Sequence, residues 1–238
     1  MNLRPFLASA LALAAFPSLT ACDAQTDPSY GGEPLATVRG TITSELDDPP
    51  ELVASLVWEV WTTQGDSAAS AQVPVTGSFP AAFTMELLAP PADDMLNPSL
   101  GPDEPYVGTA YITALPPVPV EPLGDEDLLG ISPDHVLVYV SSDIQPGSQW
   151  DAFLHGALAT GYHLMVVHRP NAAEQQEIDA CRQEAELACD ACGGGCAECD
   201  NLHCDDEFRG LFPAPGGFAD PVTVHIAAPD QLEVPDFH

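Results

Sequence analysis

The sequence contains no lysine, and its only basic side chains besides histidine are Arg4, Arg39, Arg169, Arg182 and Arg209. Set against 36 acidic residues, they leave a formal net charge of −31. Nucleic acid is excluded as a partner, because no basic stripe exists to displace the counterions of phosphate. Direct adhesion of a folded domain to anionic headgroups is disfavoured for the same reason. The short motifs that announce chemistry are missing too: there is no Gly-x-Ser-x-Gly elbow, no phosphate-binding glycine loop and no His-Glu-x-x-His pair. No apolar run reaches the roughly 20 residues that cross a bilayer, no internal repeat is visible, and nothing alternates as βαβ units do. A doubly wound sheet is therefore not expected.

What is abundant is acid. Its simplest role is solubility in an ion-rich exterior. Calcium binding is the sharper reading, and the clusters Asp47-Asp48, Asp93-Asp94, Asp103-Glu104, Asp125-Glu126-Asp127 and Asp205-Asp206-Glu207 invite it. None of them follows the alternating loop of about twelve residues that fixes a calcium cage.

The N-terminus has its own pattern. Met1-Asn2-Leu3-Arg4 carries the α-amino charge and one arginine, and an apolar run broken only by Ser9 follows from Phe6 to Phe16. That length suits a secretory signal rather than a membrane span. The segment ends in Leu19-Thr20-Ala21-Cys22, an aliphatic residue, two small ones and a cysteine. This resembles the lipobox of bacterial lipoproteins. The resemblance covers residues 1–22 and implies a signal peptide over 1–21, with Cys22 as the acylated first residue of the mature chain. Membrane lipid then becomes a partner through Cys22, and the location is the extracytoplasmic cell envelope, at the inner or outer membrane. Each buried methylene contributes about 0.8 kcal/mol, so two or three acyl chains anchor stably where one does not. A secretory signal cut after Ala21 is the alternative. Residues 22–34 are polar, with Gly31-Gly32, and read as a flexible tether.

From Leu35 the pattern becomes β. Strands are expected at 35–43, 52–62, 79–87, 106–115, 135–142, 161–168 and 222–228. In 52–62, Leu52, Ala54, Leu56, Trp58 and Val60 share one face, while Ser55, Glu59 and Trp61 make the other partly wet. Phe79, Ala81, Phe83, Met85 and Leu87 share a parity, and Pro80 among them marks an edge strand or a strand start. The stretches 88–105 and 116–134, rich in proline and acid, read as long ordered loops. Short strands between Pro, Gly and Asp clusters point to a mainly β domain over 35–238, an antiparallel β-sandwich of the immunoglobulin or transthyretin kind. The inter-sheet cysteine pair of antibody domains is absent.

A cysteine-rich helical hairpin over 171–208 is expected as an insertion. Asn171 suits an N-cap with Glu174 three residues on, and a run rich in Ala, Glu and Gln follows to Ala191. Gly193-Gly194-Gly195 ends the helix, since each interior glycine costs about 1 kcal/mol, and a second short helix follows from Cys196 to about Phe208. With Cys22 acylated, six cysteines remain, an even number that predicts disulfides in an exported protein. Cys192/Cys196 and Cys189/Cys199 are centred on Gly194, and Cys181/Cys204 nearly so, which suggests three nested pairs. The outer pair fits less well, because Cys181 lies farther along its helix from Cys189 than Cys204 lies from Cys199. Zinc is a competing use of Cys189-x-x-Cys192 and Cys196-x-x-Cys199, with His203 nearby. Only three residues join those pairs, against about 12 or more in common zinc modules. Redox catalysis by a Cys-x-x-Cys needs a βαβ setting that is lacking.

The remaining chemistry-bearing residues are sparse. Ser141-Ser142-Asp143 follows a strand but has no defined base. His135, His163, His168 and His225 fall on or beside expected strands, where structural roles are the ordinary outcome, and His163 and His225 approach each other only if their strands are neighbours. Trp58, Trp61 and Trp150, with Tyr106, Tyr111 and Tyr162, make either core or a carbohydrate platform that rests on Trp61. The function expected is a non-enzymatic, lipid-anchored structural or interaction module, with a protein or glycan partner and no cofactor. A calcium- or zinc-binding envelope protein is the alternative, and a secreted enzyme with an unrecognised site is a third reading.

Overall fold

The computed structural model describes residues 32–46, 48–59, 67–75, 77–97, 104–117, 127–191, 204, 210–227 and 232. The expected signal peptide, Cys22 and nearly all of the tether lie outside this set. The chain is mainly β. Its strands are β1 (Ala36–Ser44), β2 (Val53–Glu59), β3 (Ser67–Pro74), β4 (Ala81–Leu87), β5 (Val107–Leu115), β6 (Gly130–Val140), β7 (Gly161–His168), β8 (Gly210–Pro213) and β9 (Val222–Ile226). Among the described residues two α-helices accompany them, α1 (Gln149–Phe153) and α2 (Ala172–Ala191).

Burial follows the sequence wherever the sequence alternates. In β4, Ala81, Phe83, Met85 and Leu87 are buried while Ala82, Thr84 and Glu86 are exposed, the period of two that a half-buried strand requires. Pro80 stands immediately before β4, which is a terminal strand of the sheet, so its missing N–H breaks no ladder. β2 departs from expectation. Ala54, Leu56 and Trp58 are buried on one face, and Val53, Ser55 and Val57 on the other. The second face is therefore not wet at Ser55, whose hydroxyl donates to the Ser70 carbonyl at 2.9 Å. β3 and β8 were not expected, and β6 begins inside the stretch read as loop.

All nine strands belong to one mixed sheet, nearly closed into a barrel. Its order is β3-β2-β5-β6-β9-β1-β4, and the end strands β3 and β4 come alongside each other. β1 and β9 run parallel, with Gly40 opposite Val222, while the other pairings are antiparallel. β6 is the branch point. One of its edges follows β5. The other pairs with β9 through Gly130 and Ile131, and with β7 through His135 to Val140. Between those stretches Ser132, Pro133 and Asp134 leave the ladder. The expected antiparallel sandwich of two sheets is thus corrected to a single sheet that curls and forks. Alternation reports that one face of a strand is buried; it does not say whether a second sheet or the same sheet covers it.

The curl is filled by side chains, among them Leu56, Trp58, Phe83, Met85, Ile112, Leu137, Tyr139 and Tyr162. Two aromatic rings take space that neighbouring strands leave bare. A Cβ at Gly108 would stand 2.8 Å from the Trp58 ring, and one at Gly40 would stand 2.6 Å from the Phe83 ring. On the outer face, Val107, Val136, Val138, Val140 and Met165 are covered by Ile144, Trp150, Leu154 and Leu158. The buried Trp150 indole donates to the Pro105 carbonyl at 3.1 Å, and Ser148 caps α1 by accepting from the Asp151 amide at 3.1 Å. This second cluster fixes the root of β7, and with it the ribbon that β7 forms with β8.

Candidate functional site

That ribbon is short: Met165 pairs with Pro213, Val166 with Phe212, Val167 with Leu211 and His168 with Gly210. The chain leaves it after His168 and returns at Gly210, so residues 169–209 form an excursion from its end that carries all six of the later cysteines. α2 begins this excursion, and its start is built as the sequence suggests. Asn171 Oδ1 accepts from the amides of Ala173 at 2.9 Å and Glu174 at 3.2 Å. In return Glu174 Oε2 accepts from the Asn171 amide at 2.8 Å, completing a capping box.

The same Glu174 oxygen lies 3.0 Å from His168 Nε2 and accepts its N–H, tying α2 to the last residue of β7. The Asn171 amide holds the Glu174 carboxyl below the usual carboxylate range; desolvation opposes this, and the His168 bond and charge add to it. His168 also meets the Phe212 ring edge-on, at 5.4 Å between centroids and 67°. On Phe212 a second imidazole, His155, lies stacked at 4.1 Å and 14°. His155 adopts φ 48°, and Gly210, at φ 152°, passes so close that a Cβ there would overlap the His155 ring. Two imidazoles, a carboxylate and a phenyl ring therefore close the base of the excursion.

Above this base the described side chains of α2 are scarcely embedded. From Ala172 to Gln183, Ile178 is the one buried side chain, and Glu174 is partly covered. Gln175, Gln176, Glu177, Asp179, Cys181, Arg182 and Gln183 are exposed. A disulfide joins Cys181 to Cys204, with a Cα–Cα separation of 5.6 Å. This is the outer of the three nested pairs. The pairs Cys189/Cys199 and Cys192/Cys196, the second short helix and His203 lie outside the described side chains.

The other candidates do not converge. Ser141 Oγ accepts from the Tyr106 amide at 2.9 Å, and Asp143 Oδ1 accepts from the Thr160 amide at 2.8 Å and the Thr160 hydroxyl at 2.9 Å. The Thr160 amide lowers the Asp143 pKa, so this pair fastens the connection between β6 and β7. His163 stands opposite Val138 and His225 opposite Ile131, on different stretches of β6, so the two strands do not bring them together. His163 donates to the Ala159 carbonyl at 2.6 Å, and His225 Nδ1 lies 2.8 Å from Thr43 Oγ1. Burial pushes the His135 pKa down, against Asp134 and Asp220. Trp58, Trp150 and Tyr162 are core rather than platform, Tyr106 is exposed, and Trp61 lies outside the described residues. Asp93 and Asp94 share a single 3-10 turn. Among the described residues no group of three or more His, Cys, Asp or Glu side chains is placed to hold a metal ion, and no helix is long and apolar enough to cross a membrane.

Sequence reasoning reached Asn171, Glu174, His168 and the cysteines, but missed His155, Gly210 and Phe212. Nothing local marks those three. They meet only because β8 pairs with β7 beside the turn that follows α1. Compared with known proteins, the chain matches no protein-family model, no curated protein and no solved structure. Its class is defined by its own geometry: a curled, forked mixed sheet bearing a disulfide-closed excursion on a two-strand ribbon.

Proposed function

We propose that the chain is a lipid-anchored protein of the bacterial cell envelope, a non-enzymatic interaction module held in the membrane through acylated Cys22. The excursion 169–209 is its contact element, and a protein or glycan its partner. The observation that carries this reading is α2: a long helix with a complete cap that buries only Ile178 among its described side chains. A helix retained mainly to stabilise a core would bury an apolar stripe. Supporting the anchor are the lipobox residues Leu19 to Cys22 and the polar segment that follows. We read Cys196 to about Phe208 as the returning arm of a helical hairpin, with Cys189/Cys199 and Cys192/Cys196 nested inside the Cys181–Cys204 bond.

The anchor is tested by expressing the chain in a bacterial host with an alkyne fatty acid and comparing it with the Cys22→Ala variant. Label on the wild type, lost together with membrane fractionation in the variant, is expected. Equal labelling of both would sink the proposal.

A further inference from the structure

We propose that the fold orients the domain on the membrane. The end of the sheet that carries Leu35 and Tyr106 faces the bilayer, and the root of the excursion 169–209 faces away from it, toward a partner reached from the aqueous phase. The proposal rests on reading Cys22 as acylated and 169–209 as the contact element, and it gives the partner a place outside the lipid.

Strand direction carries the inference. β1 starts at Ala36, directly after Leu35, and runs to Ser44. β9 is parallel to β1, β6 is antiparallel to β9 and β7 is antiparallel to β6, so β7 runs the same way as β1. One end of the sheet, the upper, is marked by Ser44 opposite Ile226 and by Ile226 opposite Gly130. The lower end is marked by Ala36 opposite Leu87, and by Val140 opposite both Val107 and Gly161. Residues 22–34 therefore join the lower end, while the chain leaves for the excursion past His168, at the upper end. β5 is antiparallel to β6 and also runs upward, which puts Tyr106 at the lower end with Leu35. Its amide is held there by the Ser141 hydroxyl. The rise from Ala36 to Ser44 is about 26 Å at roughly 3.3 Å per residue, or about 20 Å of height for strands tilted as in a barrel.

The surface favours the same end. Among the described residues the exposed large apolar side chains are Leu35 at 53%, Tyr106 at 52% and Leu46 at 37%. The two most exposed stand at the lower end, and tyrosine, with an apolar ring and a polar tip, suits the headgroup level. With 36 acidic residues against five arginines, too few cations exist to draw a wall of the domain onto anionic headgroups. A coil the length of 22–34 spans roughly 20 Å on average. Laying the upper end on the bilayer would use that whole reach to climb the sheet, and forfeit the freedom a short tether keeps.

The test exploits the absence of lysine, because one introduced lysine takes an amine-reactive dye and the parent chain serves as the blank for the α-amine. Exposed positions are chosen at the lower end (Ser142→Lys), at the upper end (Glu45→Lys) and on α2 (Gln176→Lys). Each full chain is expressed in a bacterial host, purified in detergent and added to preformed phosphatidylcholine vesicles that carry a headgroup-labelled acceptor lipid. Energy transfer from the fraction that floats with the vesicles should be severalfold greater for the Ser142 position than for the Glu45 and Gln176 positions. Equal transfer from the three, or greater transfer from the upper two, overturns the orientation while leaving the anchor intact. A chain that does not float overturns the anchor reading, and the orientation with it.

Discussion

Glu174 places two hydrogen bonds on one oxygen, from the Asn171 amide and from His168, so the start of α2 and the end of β7 share a single carboxylate. Its carboxyl titrates lower in the folded protein than in an unfolded chain. The stability it contributes is therefore present above the ordinary carboxylate range and lost as the pH falls through the depressed folded value. Amide protection in the first turn of α2, corrected for intrinsic exchange, should hold down through the ordinary carboxylate range and fall only as the pH drops below it. A Glu174→Gln variant should begin with weaker protection and lack that fall; parallel profiles for the two proteins would place the acid sensitivity elsewhere. Gly40 makes a different demand. A side chain there would strike the Phe83 ring and the Val222 carbonyl across the parallel β1–β9 pair. Gly40→Val should cost about 1–3 kcal/mol or more in chemical denaturation, the usual penalty of overpacking. The capping residues were legible in the sequence because a cap is a local pattern. The demand on Gly40 was not, because it comes from strands distant in the chain.

Among elements, α1 shows how much a short helix can secure. It has five residues, yet its Trp150 is fully buried against β5 and β6. Trp150→Ala should cost about 3–5 kcal/mol, the range for truncating a large core aromatic, with strand amides of β5 and β6 exchanging faster. A loss below about 1 kcal/mol would mean that the second cluster is peripheral. Legibility at this scale followed the strength of the pattern. β4 alternates clearly, and both it and β7 were found with their limits nearly right. β3 reads Ser-Ala-Ala-Ser-Ala-Gln-Val-Pro, with few side chains of strand character, and its ladder shifts register near Ala71, which has φ 52°. A bulge of this kind breaks the period on which recognition depends. β8 has four residues, the first a glycine and the last a proline, too few to show a period. The first half of β6 was hidden by Pro133 and Asp134, which read as a turn and form the interruption at the fork.

For the whole molecule, composition and topology were legible to different degrees. That the chain is mainly β followed from the strands one by one; that the strands form one curled sheet did not, because closure depends on which edges meet. The parallel β1–β9 contact joins the two ends of the domain and has no local signature. Charge, in contrast, is fully legible. A formal net charge of −31, with 36 acidic residues against five arginines and no lysine, gives far more carboxylates than cations to pair with them. Self-repulsion of this kind opposes the compact state more than an expanded chain, in which the charges stand farther apart. Added salt should therefore stabilise the protein. Raising sodium chloride from about 10 mM to about 500 mM should raise the thermal midpoint, most steeply below about 0.1 M, where the screening length shrinks to roughly 10 Å. Replacing exposed Arg39 with Glu should lower the low-salt midpoint and steepen its rise. Choline chloride should act as sodium chloride does, because screening depends on ionic strength. If calcium at micromolar concentration achieved what sodium does only at hundreds of millimolar, specific cation binding rather than screening would govern stability, and the acidic clusters would have to be reconsidered as sites.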